Sequence, residues 1–265
     1  MNIIDFTKGI GYKVVRFPDG EVHLQLDEIN RKDGVKVVMR ICNAEDLFLL
    51  MQLSDILHRQ EVVVDELHIP YLMSMRCDRV FSFDRPFSLK IVSDIVKGVG
   101  ARCTHIYEPH SMRCVDFTNC AEKHISLSLL LEYLGSSTIC FPDKGAKDRY
   151  SEYQLKIDTL LCEKVRNVGT GVLEGFKVVN PDMFYGGEIT LVDDLCDGGG
   201  TFIGLTTHLR KLKPTKLRLV VTHAVQQKGI ENVAKHFDEV VITNTYADWD
   251  TVDLPENVKV VNVLP

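Results

Sequence analysis

Short runs rich in Val and Ile alternate with helix-periodic stretches along the whole chain, and that rhythm restricts it to an α/β architecture. The apolar runs are 35–41 (VKVVMRI), 62–69 (VVVDELHI), 189–192 (ITLV), 217–221 (LRLVV) and 239–243 (EVVIT). Between them, residues 44–60, 86–100, 124–135, 202–213 and 224–237 carry apolar side chains at helical spacing. Strand, helix, strand in this order predicts βαβ units, with parallel sheets covered by helices on both faces. Polar segments near 109–123 and 143–158 interrupt the rhythm and read as irregular. Two doubly wound domains with central parallel sheets, 1–125 and 126–265, fit this pattern; one continuous sheet is the alternative.

Composition narrows the function classes. A 45% hydrophobic, 26% charged chain of 265 residues has the balance of a soluble globular protein. A formal charge of -6 leaves no basic excess for general nucleic-acid binding. No apolar run has the length of a membrane span, and the first thirty residues show no signal-peptide pattern, so a cytoplasmic protein without membrane partner is expected. None of the eight cysteines forms a C-x-x-C pair, so they read as reduced thiols in or beside apolar stretches.

The chemistry concentrates at 189–201. The run Ile189–Val192 leads into Asp193 and Asp194, then Leu195, Cys196, Asp197, Gly198, Gly199, Gly200 and Thr201, with a helical stretch from Phe202. Ligands of open α/β sheets bind where strands end at their carboxyl edges. A strand, an acidic pair, a glycine loop and a helix start together make a cradle for ribose and phosphate. Glycines let backbone N–H groups turn toward an anion, and the helix N-terminus adds favourable partial charge. Carboxylates accept hydrogen bonds from ribose hydroxyls or hold Mg²⁺ through water. Asp and Gly alone would be an ordinary helix cap and turn, but three acids beside three glycines serve no packing purpose.

Other segments are less telling singly. Phe17-Pro18-Asp19-Gly20-Glu21 is a turn signal. Arg76-Cys77-Asp78-Arg79, after Ile69-Pro70-Tyr71, sets guanidinium forks where nucleotide phosphates can be held, or forms a surface ion-pair cluster. His110 follows a predicted strand at 104–107; Asp143 follows Phe141-Pro142; Arg149 and the pair Lys164 and Arg166 are otherwise ordinary cations.

Taken in order, these segments resemble the phosphoribosyl pyrophosphate synthetase (ribose-phosphate diphosphokinase) family. Residues 16–21 resemble its R-F-S-D-G-E, and 69–79 its I-P-Y-x-x-Y-A-R-Q-D-R. Glu108–Ser111 resembles D-L-H-A, 142–149 resembles P-D-x-G-G-x-x-R, 164–166 resembles K-x-R, and 193–201 the phosphoribosyl pyrophosphate motif. The resemblance implies domains of the type I phosphoribosyltransferase kind and transfer of the β,γ-diphosphate of ATP to the C1 hydroxyl of ribose 5-phosphate, releasing AMP. It implies Phe17, Asp19, Glu21, Arg76, Asp78, Arg79, His110 and Arg149 toward ATP, with the Phe17–Glu21 hairpin serving a neighbouring subunit of a homo-oligomer. His110 and Asp143 would hold Mg²⁺, Lys164 and Arg166 would act catalytically from a mobile loop, and Asp193, Asp194, Asp197 and Gly198–Thr201 would hold the ribose phosphate.

This chain departs from the family at Cys77, where the family has Gln, at Lys144, and at Gly198 and Gly199, where the family's loop reads D-T-A-G-T. Losing the Thr hydroxyl removes a donor to a 5-phosphate monoester, and losing both side chains opens space. ADP-ribose, yielding its 1-pyrophosphate, is therefore an alternative acceptor. A type I phosphoribosyltransferase and a catalytically silent regulatory member are further alternatives, although Lys164 is retained. The family's serine/glycine-containing segment and final helix have no counterpart before Pro265, so ADP feedback of that type is not expected.

Overall fold

In a computed structural model, which describes residues 1–118, 121–123, 137–150, 159–166 and 173–265, the chain forms two compact units, 1–123 (with the last residue, 265) and 124–264. The predicted helix over 124–135 lies outside the described residues.

The first unit runs β1 (Asn2–Asp5), β2 (Tyr12–Arg16), β3 (Val22–Leu26), β4 (Val35–Val38), α1 (Ala44–Arg59), β5 (Val64–Ile69), α2 (Ser88–Gly98), β6 (Cys103–Tyr107), α3 (Met112–Thr118) and β7 (Ala121–Lys123). Its parallel sheet has the order β1-β4-β5-β6-β7, and β2 and β3 form a separate antiparallel hairpin. Asn43 starts α1 with a capping box: its side chain accepts from Asp46 N at 3.2 Å, and Asp46 accepts from Asn43 N at 3.0 Å. Such a cap contributes about 1 kcal/mol. Leu47, Leu50, Leu53 and Leu57 recur on one face of α1 and pack with Val37, Leu67, Ile69 and Ile106 of the sheet. Each fully buried leucine contributes roughly 2 kcal/mol.

The second unit runs β8 (Thr138–Phe141), α4 (Lys144–Arg149), β9 (Thr159–Arg166), β10 (Leu173–Val178), β11 (Glu188–Cys196), α5 (Gly200–Leu209), β12 (Lys216–Ala224), α6 (Gln227–Ala234), β13 (Glu239–Thr243) and β14 (Val258–Val261). The sheet order is β10-β9-β8-β11-β12-β13-β14. From β8 the chain proceeds to one side through β9 and β10, then returns to β11 on the other side. The β8/β11 junction is thus a topological switch point, where ligands of such sheets bind. β12 and β13 are buried on both faces, which is why they read as continuous apolar runs. The charged residue on β13 is Glu239. Burial opposes its ionisation, but Lys216, Lys259 and Arg218 surround it and hold the carboxyl down at about 2.

The fold class is as expected, with local corrections. The strand expected over 189–192 continues to Cys196, because β12 supplies ladder partners as far as Ala224. The segments read as irregular contain α3 and β7 in one case and α4 in the other, all too short to show a periodic pattern. β9 and β10 pair antiparallel, unlike the rest of the sheet. The helix expected over 202–213 begins at Gly200, and its last turn, Arg210–Leu212, is a 3₁₀ helix. Among the described residues no helix is long and apolar enough to cross a membrane, and the described cysteines are free thiols.

Candidate active site

At the carboxyl end of β11, two acids share one cation. Arg149, the last residue of α4, places Nη1 3.2 Å from Asp193 Oδ1 and 2.8 Å from Asp194 Oδ1. The Arg149 side chain is 8% exposed and that of Asp194 only 2%, so this is a largely desolvated charge cluster. Burial and the neighbouring Asp194 charge push the Asp193 carboxyl well above the usual carboxylate range, while the Arg149 guanidinium pulls the other way. The family resemblance assigned Arg149 to ATP. In the structure its guanidinium contacts the two aspartates, both of which belong to the strand rather than to the loop after it.

The glycine loop comes next, and its three glycines differ. Gly199 is buried, has φ +80°, and a Cβ there would lie 2.5 Å from Val233 Cγ1. Backbone geometry and α6 both require glycine at that position. This corrects the reading that both missing side chains open space: Gly199 makes no room. Gly198 is exposed and a Cβ on it would meet nothing within 4 Å, so the space is there. Gly200 begins α5, and Thr201 follows in its first turn, where backbone N–H groups lack intrahelical acceptors. Asp197 is held by Gln226, whose Nε2 donates to Oδ1 at 2.6 Å.

Two residues that sequence reasoning missed shape this loop. Gln226 orients Asp197, and Gly229 allows α6 to press against it, since a Cβ there would fall 1.8 Å from Asp197 O. A glycine inside an amphipathic helix was the available signal for the second; nothing local marks the first.

At the carboxyl end of β8, across the switch point, Asp143 caps α4. Its Oδ1 accepts from Ala146 N at 3.0 Å, while its Oδ2 stands 3.8 Å from Lys164 Nζ. Lys164 was expected on a loop. It lies in β9 opposite Phe176 of β10, because the antiparallel partner extends the ladder that far. Its side chain is nonetheless about one-third exposed, at 32%. Arg166 ends the same strand, and its side chain lies outside the described set.

In the first unit, β5 leads into Ile69-Pro70-Tyr71 and then Arg76–Arg79. Asp78 is buried and accepts from Arg79 Nε at 2.9 Å, while Arg113 Nη1 donates to its backbone oxygen at 2.9 Å. Burial works against ionisation, yet the hydrogen bonds from Arg79 and Ser111 and the charges of Arg79 and Arg113 together outweigh it and hold the Asp78 carboxyl below its usual value. Asp78 is thus the anchor, and Arg76 and Arg79 are the exposed cations. β6 is followed by Glu108, fully buried with φ +44°, two residues before the partly buried His110. A left-handed glutamate costs about 1–3 kcal/mol, strain of a kind that collects at functional sites. Phe17, Asp19 and Glu21 form the exposed turn of the β2–β3 hairpin, closed by Phe17 N to Glu21 O at 2.9 Å.

No family model matches the chain. A ribose-phosphate pyrophosphokinase of Pyrococcus furiosus is 30% identical over 96% of this chain and 89% of its own length. The chain belongs to the ribose-phosphate pyrophosphokinase family. Ribose-phosphate pyrophosphokinase 1 of Spinacia oleracea is 28% identical over 88% of this chain and 73% of its own length. The fold agrees with that of phosphoribosylpyrophosphate synthetase from Mycobacterium smegmatis, at a TM-score of 0.79 over 95% of this chain and 85% of that one, with 21% identity.

Proposed function

We propose that the protein transfers the β,γ-diphosphate of ATP to the C1 hydroxyl of ribose 5-phosphate, releasing AMP. The observation that carries this reading is the switch-point arrangement of Asp193, Asp194, Arg149 and the Gly198–Thr201 helix start, with Lys164 facing Asp143 beside it. Asp193, Asp194 and Asp197 hold the sugar hydroxyls, and the N–H groups of 198–201 hold the 5-phosphate. Arg76, Arg79, His110 and, across a subunit boundary, Phe17, Asp19 and Glu21 serve ATP, with Asp78 as the buried anchor of Arg79. Lys164 and Arg166 neutralise charge developing on the transferring group, the main source of acceleration in such transfers. Arg149 positions Asp193 and Asp194.

Asp143 and His110, each on its own unit, are the proposed Mg²⁺ residues. Asp143 fits that role because its Oδ2 is not used in the helix cap, and oxygen is the donor Mg²⁺ takes. The chemistry supplied there, when the ion is bound, would be neutralisation of phosphate charge. A ³¹P spectrum of the reaction should show AMP formed one-for-one with a C1-diphosphorylated sugar, only when a divalent ion is supplied. ADP with orthophosphate instead would overturn the assignment. The active species is proposed to be a homo-oligomer, and a fully active monomer in sedimentation at assay concentration would reject that.

The open space at Gly198 favours a second acceptor, ADP-ribose, by the same chemistry. A charge-assisted donor to a terminal phosphate oxygen is worth about 1.5–3 kcal/mol, or tenfold and more in affinity. A phosphodiester carries less charge, needs fewer donors and requires more room. Gly198→Thr alone is the proper test, since Gly199→Ala would strain the loop. It should shift kcat/KM toward ribose 5-phosphate by about tenfold or more relative to ADP-ribose. An unchanged ratio in competition kinetics would show that glycine at 198 serves loop geometry only.

A further inference from the structure

The face of the first sheet opposite α1 and α2 carries a square of metal-ligating side chains. β5 and β6 are parallel neighbours in which Glu66 stands beside Cys103 and His68 beside His105. Alternate residues of a strand share a face, so these four and Tyr107 lie together, opposite Leu67, Ile69 and Ile106 in the helix-packed core. The donor atoms of Glu66, His68 and His105 all lie within 4.8 Å of one another. His68 Nε2 is 2.8 Å from Glu66 Oε2, and Cys103 Sγ is 3.3 Å from His105 Nε2.

Packing alone gives no reason for this set. Val38 occupies the position beside His68 on β4, and an interior strand of a parallel sheet is normally filled with such residues. Here two imidazoles stack at 4.6 Å instead, one of them, His68, only 3% exposed. The His68 ring is also oriented from behind: its Nδ1 is 3.2 Å from Tyr107 Oη. Metal-ligating histidines almost always use their second ring nitrogen in this way, which fixes the ring and aims the other lone pair at the ion.

We propose that Glu66, His68 and His105 bind a divalent transition-metal ion of the zinc type, with Cys103 as the adjacent thiolate donor. Tetrahedral zinc with ligands near 2.0–2.3 Å requires donor atoms about 3.3–3.8 Å apart. The contacts of 2.8 and 3.3 Å and the 4.8 Å limit bracket that spacing. Two imidazoles and a thiol suit zinc rather than Mg²⁺, so the site is chemically distinct from the one proposed for catalysis. A bound ion would tie β5 to β6, the strands whose carboxyl ends lead to Arg76–Arg79 and to His110.

The full-length chain, freed of metal with a chelator and titrated with Zn²⁺ in excess Mg²⁺, should take up one ion per chain. At Zn²⁺ 100-fold above Kd, Tm should rise measurably, as expected for an ion that binds only the folded state. Glu66→Gln with His105→Gln should weaken Zn²⁺ by about a hundredfold or more, at least the loss seen when outer-shell partners are removed. Glu66→Gln alone, at a partly exposed position, should weaken it with no loss of folding. Co²⁺ used in place of Zn²⁺ should give a thiolate charge-transfer band that disappears in Cys103→Ser. Failure of the wild-type protein to bind Zn²⁺ in excess Mg²⁺, or undiminished binding in the folded Glu66→Gln variant, would overturn the site. A Co²⁺ spectrum unaffected by Cys103→Ser would remove Cys103 from it.

Discussion

Lys164→Ala is expected to lower kcat by roughly 10²-fold or more while leaving ATP affinity nearly unchanged, the signature of a group that acts mainly in the transition state. The ammonium lies 3.8 Å from Asp143 Oδ2 on a side chain that is 32% exposed. An ion pair of that length and exposure contributes little to folding. The variant should therefore unfold at the wild-type temperature, and its loss of rate cannot be assigned to damage of β9. Lys164→Arg should recover only part of the rate, because a planar fork replaces a compact point charge. An unchanged kcat in Lys164→Ala would remove Lys164 from the chemistry.

Arg149→Met should be strongly destabilising. It keeps most of the side-chain volume but leaves Asp193 and Asp194 facing each other without a cation. Removing one partner from a buried charge cluster costs about 3–5 kcal/mol. The pH dependence identifies the cause. Asp193 already titrates above its unfolded value, because of burial and the Asp194 charge. A group raised in the folded state stabilises fully below its unfolded pKa, and that contribution is lost as pH rises through its folded pKa. The defect in Arg149→Met should thus be smallest in acid and grow toward alkaline pH. Adding Asp193→Asn should restore much of the lost stability without restoring activity. Denaturant midpoints measured across pH will decide: a defect of constant size at every pH would mean that Arg149 acts through packing alone.

Much of the fold was legible because the relevant physics is local. A strand buried on both faces is largely apolar, so β12 and β13 announced themselves as LRLVV and EVVIT, with buried Arg218 and Glu239 paired to each other. α1 was equally plain, since its buried leucines recur at helical spacing. The Asp193–Thr201 segment could be singled out because its acids, glycines and helix start are contiguous in the chain. The loop departure at Gly198 was visible for the same reason.

What the linear chain could not settle depends on neighbours distant in sequence. The sequence by itself determined which residue types stand at the end of β11; tertiary structure decided that Arg149, 44 residues earlier, neutralises them. Three consecutive glycines look equivalent in sequence, yet only packing separates Gly199, pressed against Val233 at positive φ, from Gly198, with open space around it. Lys164 looked like a loop cation until the β9–β10 pairing placed it in a strand. His68 and His105 were two unrelated histidines until the parallel register of β5 and β6 set them side by side. Periodicity along the chain encodes which face of an element is buried, whereas register and packing decide what that face meets, and they are settled only when the whole core closes.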